Sequence, residues 1–222
     1  MPVVDTFPPA PLALSITFLG HSTLVLTYGD TVIHVDPVGQ FGDFAHLPKA
    51  DIILVTHEHS DHLDAAAIAA VRTASTTIVA ARTCAETLPD AVILHNGDSR
   101  AIKGIRIEAV PAYNIKHMRA PGAPFHPKGA GNGYILTLGE RKVYIAGDTE
   151  NTPEMKGLKG IDIAFLPMNL PYTMTPEMVA DAAQGFRPHI LYPYHQGDTD
   201  TSKIVGLLAS AKDIEVRIRP MA

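Results

Sequence analysis

Cysteine is nearly absent from this 222-residue chain. The single thiol, Cys84, excludes an intrachain disulfide framework and any cysteine-built zinc cluster. It lies in Arg82-Thr83-Cys84-Ala85-Glu86, which reads as the opening of an amphipathic helix over 82–88, so a packing role is expected rather than a nucleophilic one. Runs of like charge are missing too. Eighteen basic and 23 acidic residues give a net charge of −5, with no basic stripe to serve as a footprint for nucleic acid or an anionic membrane. No apolar stretch approaches the roughly 20 residues of a spanning helix. The opening MPVVDTFPPAPLALS lacks a basic segment followed by an uninterrupted apolar one, so it does not read as a signal peptide. It reads as a Pro-rich lead-in over 1–14 to one domain over 15–222. A cytoplasmic location is expected, and the same start is compatible with an exported mature form. Internal repeats and low-complexity linkers are absent.

What is present is a large apolar share, 46%, enough to bury a substantial core, and eleven histidines. Several histidines sit beside Asp or Pro in turn-like stretches rather than on apolar faces. Short strands are expected over 16–19, 23–28 and 31–35, with Gly29-Asp30 turning a hairpin. Residues 51–55 form a continuous apolar strand and 64–71 an Ala-rich helix. Strands at 77–80 and 92–94 and a hairpin of 99–103 with 105–110 follow. Residues 111–132 read as a long irregular segment, which inside a compact domain is usually functional. A second hairpin, 133–138 with 142–146, leads into alternating strands and helices at 162–166, 176–186, 190–194, 201–211 and 215–218. A β-rich first half ending in βα units suggests two sheets with helices on their outer faces, a four-layer arrangement.

The chemistry concentrates in VTHEHSDHLD, residues 55–64. Side chains at i and i+2 of an extended segment point the same way, so His57 and His59 converge on one point as the apolar strand runs out. Asp61 and His62 follow at the turn and can address a second point close by. Imidazole and carboxylate are ligands for zinc, manganese or iron. A plain helix cap at Ser60 or Asp61 would explain one carboxylate and none of the three histidines. Two further apolar strands end the same way: VYIAGDTE (143–150) runs into Gly147-Asp148, and ILYPYHQGD (190–198) into His195. A glycine before Asp148 lets the backbone turn that carboxylate inward.

THEHSDHLD, AGDTE and YPYHQGD resemble the metallo-β-lactamase superfamily, and the similarity extends over nearly the whole chain. ITFLGHSTLVLTYGDTVIHVDP resembles its opening hairpins. LPMNLPYTMTPEMVADAAQGFRPHILYPYHQGD resembles the ascorbate-6-phosphate lactonase-like branch and its metal-dependent hydrolase relatives. The resemblance implies an α/β fold, a four-layer αββα sandwich with two divalent cations at the sheet edges. Zinc is the first expectation and manganese or iron the alternatives. By motif match His57 and His59 would bind one cation, Asp61, His62 and His195 the other, and Asp148 would bridge them. The third histidine of the first site is displaced: alignment puts Asn114 there, with His117 and His126 downstream. His126 is favoured because Pro127 stiffens its backbone and it lies nearer the strand leading to Asp148.

Asp36 is expected to support the site floor, and His21 to bind substrate or cap its hairpin. Tyr113, Asn114, Lys128 and Tyr172 are candidates to line the pocket, Lys128 as an anion anchor. Such a centre generates a hydroxide and polarises a carbonyl or phosphoryl oxygen, with Asp61 accepting the water's proton. The expected activity is hydrolysis of a small-molecule ester, lactone or phosphoester. Alternatives are a β-lactam or phosphodiester hydrolase, or a non-catalytic metal-binding protein. A flavin-partnered di-iron oxidoreductase would need a carboxylate in place of His59. Neither nucleic acid nor membrane is expected as a partner, and homo-oligomerisation is left open.

Overall fold

The computed structural model describes residues 2–221. The first sheet runs in chain order: β1 (Val3–Phe7), β2 (Leu14–Gly20), β3 (Thr23–Tyr28), β4 (Thr31–Val35), β5 (Ile52–Val55), β6 (Thr77–Ala81) and β7 (Val92–Leu94). Its first four strands are antiparallel neighbours, and β4 to β7 are parallel. Next come β8 (Ser99–Ile102), β9 (Ile105–Ala112), a small hairpin of β10 (Met118–Ala120) and β11 (Ala123–Pro124), β12 (Gly131–Leu138), β13 (Arg141–Ile145), β14 (Ile163–Pro167), β15 (Ile190–Tyr194) and β16 (Glu215–Val216). Apart from that hairpin they form the second sheet, in the order β16-β15-β14-β13-β12-β9-β8. The helices are α1 (Ala65–Val71), α2 (Pro153–Lys156), α3 (Pro176–Phe186) and α4 (Ser202–Leu207).

Strand periodicity explains the layering. All four residues of β5 are buried. Ile52 and Leu54 enter the core between the sheets, whereas Ile53 and Val55 pack with Ile68 and Val71 of α1. In the second sheet Val143, Ile145, Ile163 and Phe165 face the same central core. Tyr144, Ala164 and Leu166 face Val179, Ala183 and Phe186 of α3. Strands covered on both faces read as unbroken apolar runs. Phe18 from one sheet and Phe165 and Tyr192 from the other meet at the centre; Phe165 and Tyr192 stack at 5.1 Å and 12°. The result is the αββα sandwich.

Strand direction sets where the site forms. β2, β4 and β5 share one direction in the first sheet, and β9, β13, β14 and β15 share one in the second. Their carboxyl ends deliver His21, Asp36, the 57–62 stretch, Asn114, Asp148 and His195 to the loops at one rim. Ligand sites of α/β sheets lie beyond the carboxyl ends of strands.

Three expectations need correction. The expected lead-in over 1–14 contains a strand: β1 pairs antiparallel with β2 from Val3↔Phe18 to Phe7↔Leu14. Asp5 of β1 accepts from Arg219 Nη2 at 2.7 Å and from the Tyr192 hydroxyl, tying the amino end to the last residues. The helix over 82–88 is only a 3₁₀ turn, Arg82–Cys84. Pro89 disfavours the helical conformation in the residue before it and leaves no room for a second turn. Cys84 is fully buried there, and burial pushes its thiol up to about 12, which makes it inert. The irregular segment over 111–132 is shorter than expected, because β9 continues to Ala112, β12 starts at Gly131, and the β10–β11 hairpin lies between.

Candidate metal centre

Asp36 leaves β4 fully buried, and every contact of its carboxylate goes to the residues after β5. Oδ1 accepts from the Thr56 N–H and Oδ2 from the Thr56 hydroxyl, both at 2.8 Å. Oδ2 also accepts from His62 Nδ1 at 2.8 Å. That bond places a proton on His62 Nδ1 and aims Nε2 at the rim. Burial opposes a second proton, but Asp148 and Asp36 outweigh it and raise His62 well above the ordinary imidazole range, so a cation at Nε2 would take the place of that proton. Asp64 caps α1 by accepting from the N–H groups of Ala66 and Ala67. The helix cap is therefore Asp64 and not Ser60 or Asp61, and Asp61 is free to face the rim. Its Oδ2 lies 3.1 Å from His21 Nε2, 3.5 Å from His195 Nε2 and 3.8 Å from His62 Nε2. Ligand atoms of His21, Asp61, His62 and His195 all lie within 4.8 Å of one another.

A second cluster, within the same limit, comprises His57, His59 and His126. His57 Nε2 and His59 Nδ1 are 3.0 Å apart. Of Asn114, His117 and His126, the structure brings His126 beside His57 and His59. Asn114 Oδ1 accepts from the backbone N–H of His126 at 2.8 Å and from its Nδ1 at 2.7 Å, so Nε2 is turned inward. Asn114 Nδ2 donates to the Tyr172 carbonyl at 2.9 Å. Asn114 therefore holds the histidine instead of replacing it. His117 points elsewhere, with Nδ1 at 2.7 Å from Glu150 Oε1. Glu150 is fully buried and accepts from the N–H groups of Ile115, Lys116 and His117, which fixes the loop carrying Asn114.

Asp148 lies between the two clusters. Its Oδ2 is 3.2 Å from His126 Nε2, 3.3 Å from His195 Nε2 and 4.0 Å from His57 Nε2, and its Oδ1 is 3.4 Å from His62 Nε2. Gly147 makes this approach possible: it sits at φ +64°, and a Cβ there would come 2.7 Å from the Asn132 carbonyl. His21, Asp36 and His195 also adopt positive φ, 53°, 42° and 46°. Such conformations in non-glycine residues at a rim mark a site whose surroundings impose them.

The donor set fits divalent cations. His62 Nε2, His195 Nε2 and Asp148 Oδ1 are buried with no hydrogen-bond partner among the described residues. Buried polar atoms are normally satisfied. Here imidazole nitrogens face carboxylate oxygens across 3.3–3.5 Å, an arrangement that calls for positive charge, carried by protons on the rings or by a cation between them. Burial, reinforced by neighbouring His62, holds His57 well below its usual range, and burial does the same more mildly for His59, so both are neutral at pH 7, the form in which imidazole can bind a cation. Burial disfavours the Asp148 carboxylate, but the imidazoles of His195, His62 and His126 around it outweigh that and hold its pKa well below the usual carboxylate range.

The β-lactamase superfamily domain model matches residues 15–195. The chain belongs to the β-lactamase superfamily. A superfamily relative, the UPF0173 metal-dependent hydrolase of Pelotomaculum thermopropionicum, is 29% identical over 220 residues, covering 92% of this chain and 96% of its own. A crystal structure from Parabacteroides distasonis, provisionally named a metal-dependent hydrolase, aligns over 100% of both chains with a TM-score of 0.95 and 48% identity. The metallo-hydrolase Igni18 of Ignicoccus hospitalis shares the superfamily fold with a TM-score of 0.77 at 22% identity, covering 94% of this chain and 96% of its own.

The pocket-lining expectations divide. Tyr172 lines the cleft beside the two clusters. Lys128 does not: its Nζ bonds Glu154 Oε1 at 2.6 Å and lies over the Tyr113 ring. Tyr113 donates to the same glutamate at 2.9 Å, so both serve the loop wall. Arg119, Phe125 and Asn169 line the cleft and were not anticipated. Arg119 and Phe125 reach it through the β10–β11 hairpin, which pairs only three and two residues and leaves no periodic signal.

Proposed function

We propose that the protein is a metal-dependent hydrolase that cleaves an ester, lactone or phosphoester bond of a small molecule with two divalent cations. His57, His59 and His126 would hold one cation, Asp61, His62 and His195 the other, and Asp148 would join them. Zinc suits this imidazole-rich set, and manganese or iron are compatible with it. The observation that carries the reading is the buried Asp148 carboxylate facing imidazole nitrogens of both clusters.

Bound there, such cations supply Lewis acidity to a carbonyl or phosphoryl oxygen and make water more acidic. The chain's own side chains do the rest. Burial disfavours the Asp61 carboxylate, but the neighbouring His195 and His21 imidazoles outweigh it and hold it well below the usual carboxylate range, so Asp61 is ionised and a weak base, suited to relaying a proton rather than keeping it. It is half-exposed at the cleft, and His21 Nε2 fixes it in that direction. Water adds across the bond: its hydroxyl joins the acyl or phosphoryl centre, and its proton passes through Asp61 to the departing oxygen. His57, His62 and His195, nearly fully buried, exclude bulk water from the floor.

The test combines elemental analysis with a panel of p-nitrophenyl esters, lactones and bis-p-nitrophenyl phosphate. Two equivalents of metal and turnover on part of the panel are expected. Asp148→Ala and His62→Ala are expected to lose metal and turnover together while the far-ultraviolet dichroism stays unchanged. Full metal content and turnover in either variant would contradict the ligand assignment. One equivalent without turnover would support a metal-binding protein.

A further inference from the structure

The cleft over the two clusters has a volume of about 410 Å³ and opens between the 57–61 stretch, the β10–β11 hairpin and the segment after β14. We propose that Arg119 anchors an oxyanion of the substrate, a carboxylate or phosphate, so that the substrate class is a small anionic ester whose apolar part lies on Phe125 and Tyr172. This rests on the hydrolase reading above.

Arg119 is the one cationic side chain lining the cleft among the described residues. It is exposed in β10 and makes no hydrogen bond or ion pair there. Lys128, the other cation near this end of the loop, is engaged with Glu154 at 2.6 Å. The Arg119 guanidinium carbon lies 5.7 Å over the Phe125 ring, and Phe125 meets Tyr172 edge-to-face at 5.1 Å and 76°. Stacking on an aromatic face leaves the in-plane N–H donors of a guanidinium free for a bidentate oxyanion. The two aromatic rings form a wall beside that charge for a flat or aliphatic body.

The carboxylates lining the cleft, Asp61 and Asp148, are both assigned to cations, and two divalent charges exceed what they neutralise. An oxyanion on Arg119 therefore meets no unbalanced negative charge in the cleft.

The metal-loaded full chain is assayed with 4-nitrophenyl benzoate and with its 3-carboxy and 3-phosphono derivatives, which share one scissile bond. Wild type is expected to prefer a charged ester, and which one distinguishes carboxylate from phosphate. Arg119→Ala is expected to raise KM for that ester about 10–100-fold, the effect of losing a charge-assisted hydrogen-bond pair, with kcat and the neutral ester nearly unchanged. Arg119→Lys should recover part of the loss, and Lys128→Ala should lose nothing. Equal effects of Arg119→Ala on charged and neutral esters, or none on either, would overturn the anchor. If wild type turns over none of the three, the hydrolase reading is judged on the lactone and phosphodiester panel above, and calorimetry decides the anchor alone. Isophthalate and 3-phosphonobenzoate binding, compared with benzoate, weakens in Arg119→Ala if the anchor exists, and an unchanged difference refutes it.

Discussion

Replacing Asn114 with alanine removes one oxygen that accepts two hydrogen bonds from a single residue. Asn114 Oδ1 receives the His126 backbone N–H at 2.8 Å and its Nδ1 at 2.7 Å. Without it, the ring is free to rotate and to exchange tautomers, and its Nε2 no longer points at Asp148. Loss of such a supporting partner lowers metal affinity about 10–100-fold, or about 1.4–2.7 kcal/mol. The unpaired backbone N–H of buried His126 adds about 1–3 kcal/mol of lost stability, at roughly 2–4 °C of Tm per kcal/mol for a chain of this size. A competition titration with a chromophoric zinc chelator resolves the two affinities. The site of His57, His59 and His126 is expected to weaken by that factor while the site of Asp61, His62 and His195 holds, with His126→Ala marking the full loss. Unchanged affinity at the first site in a folded variant would refute the reasoning, and so would an equal loss at both.

Asp5→Asn tests the closure between the chain's two ends. Burial opposes ionisation of Asp5, but hydrogen bonds from Arg219 and Tyr192 outweigh it and lower its pKa. Its contribution is therefore present above the unfolded carboxylate value of about 3.9 and is lost as pH falls through the depressed folded value. The variant is expected to lose about 2 kcal/mol at pH 7, with the gap to wild type narrowing in thermal melts below about pH 4. A gap independent of pH would remove the ionic account of that cluster. Gly147→Ala is expected to displace Asp148 and lower metal content, because its Cβ meets the Asn132 carbonyl at 2.7 Å with φ at +64°. Full metal loading of that variant would show that the turn tolerates a side chain.

Much of the site was legible because it lies where strong local signals end. The unbroken apolar run Ile52-Ile53-Leu54-Val55 reports burial on both faces, so polar residues shortly after it, His57 to His62, stand out against the strand. Gly147-Asp148 and His195 repeat that pattern. His126 was favoured over Asn114 and His117, but the role of Asn114 was not readable, since it depends on a hydrogen bond across twelve residues of loop. β1 was missed because an edge strand half in solvent carries little alternation of its own. Its place comes from β2 and from Arg219, 214 residues away. The anion anchor was assigned to Lys128 because proximity in sequence cannot reveal that Glu154 neutralises it. Arg119 reaches the cleft only through a hairpin too short to announce itself.

The most direct measurement is an anomalous-diffraction map of zinc-loaded crystals collected on both sides of the zinc edge. Two peaks are expected, one among His57, His59 and His126 and one among Asp61, His62 and His195, with the Asp148 carboxylate between them. A single peak, or peaks that leave Asp148 without contact, would contradict a centre built around that shared carboxylate.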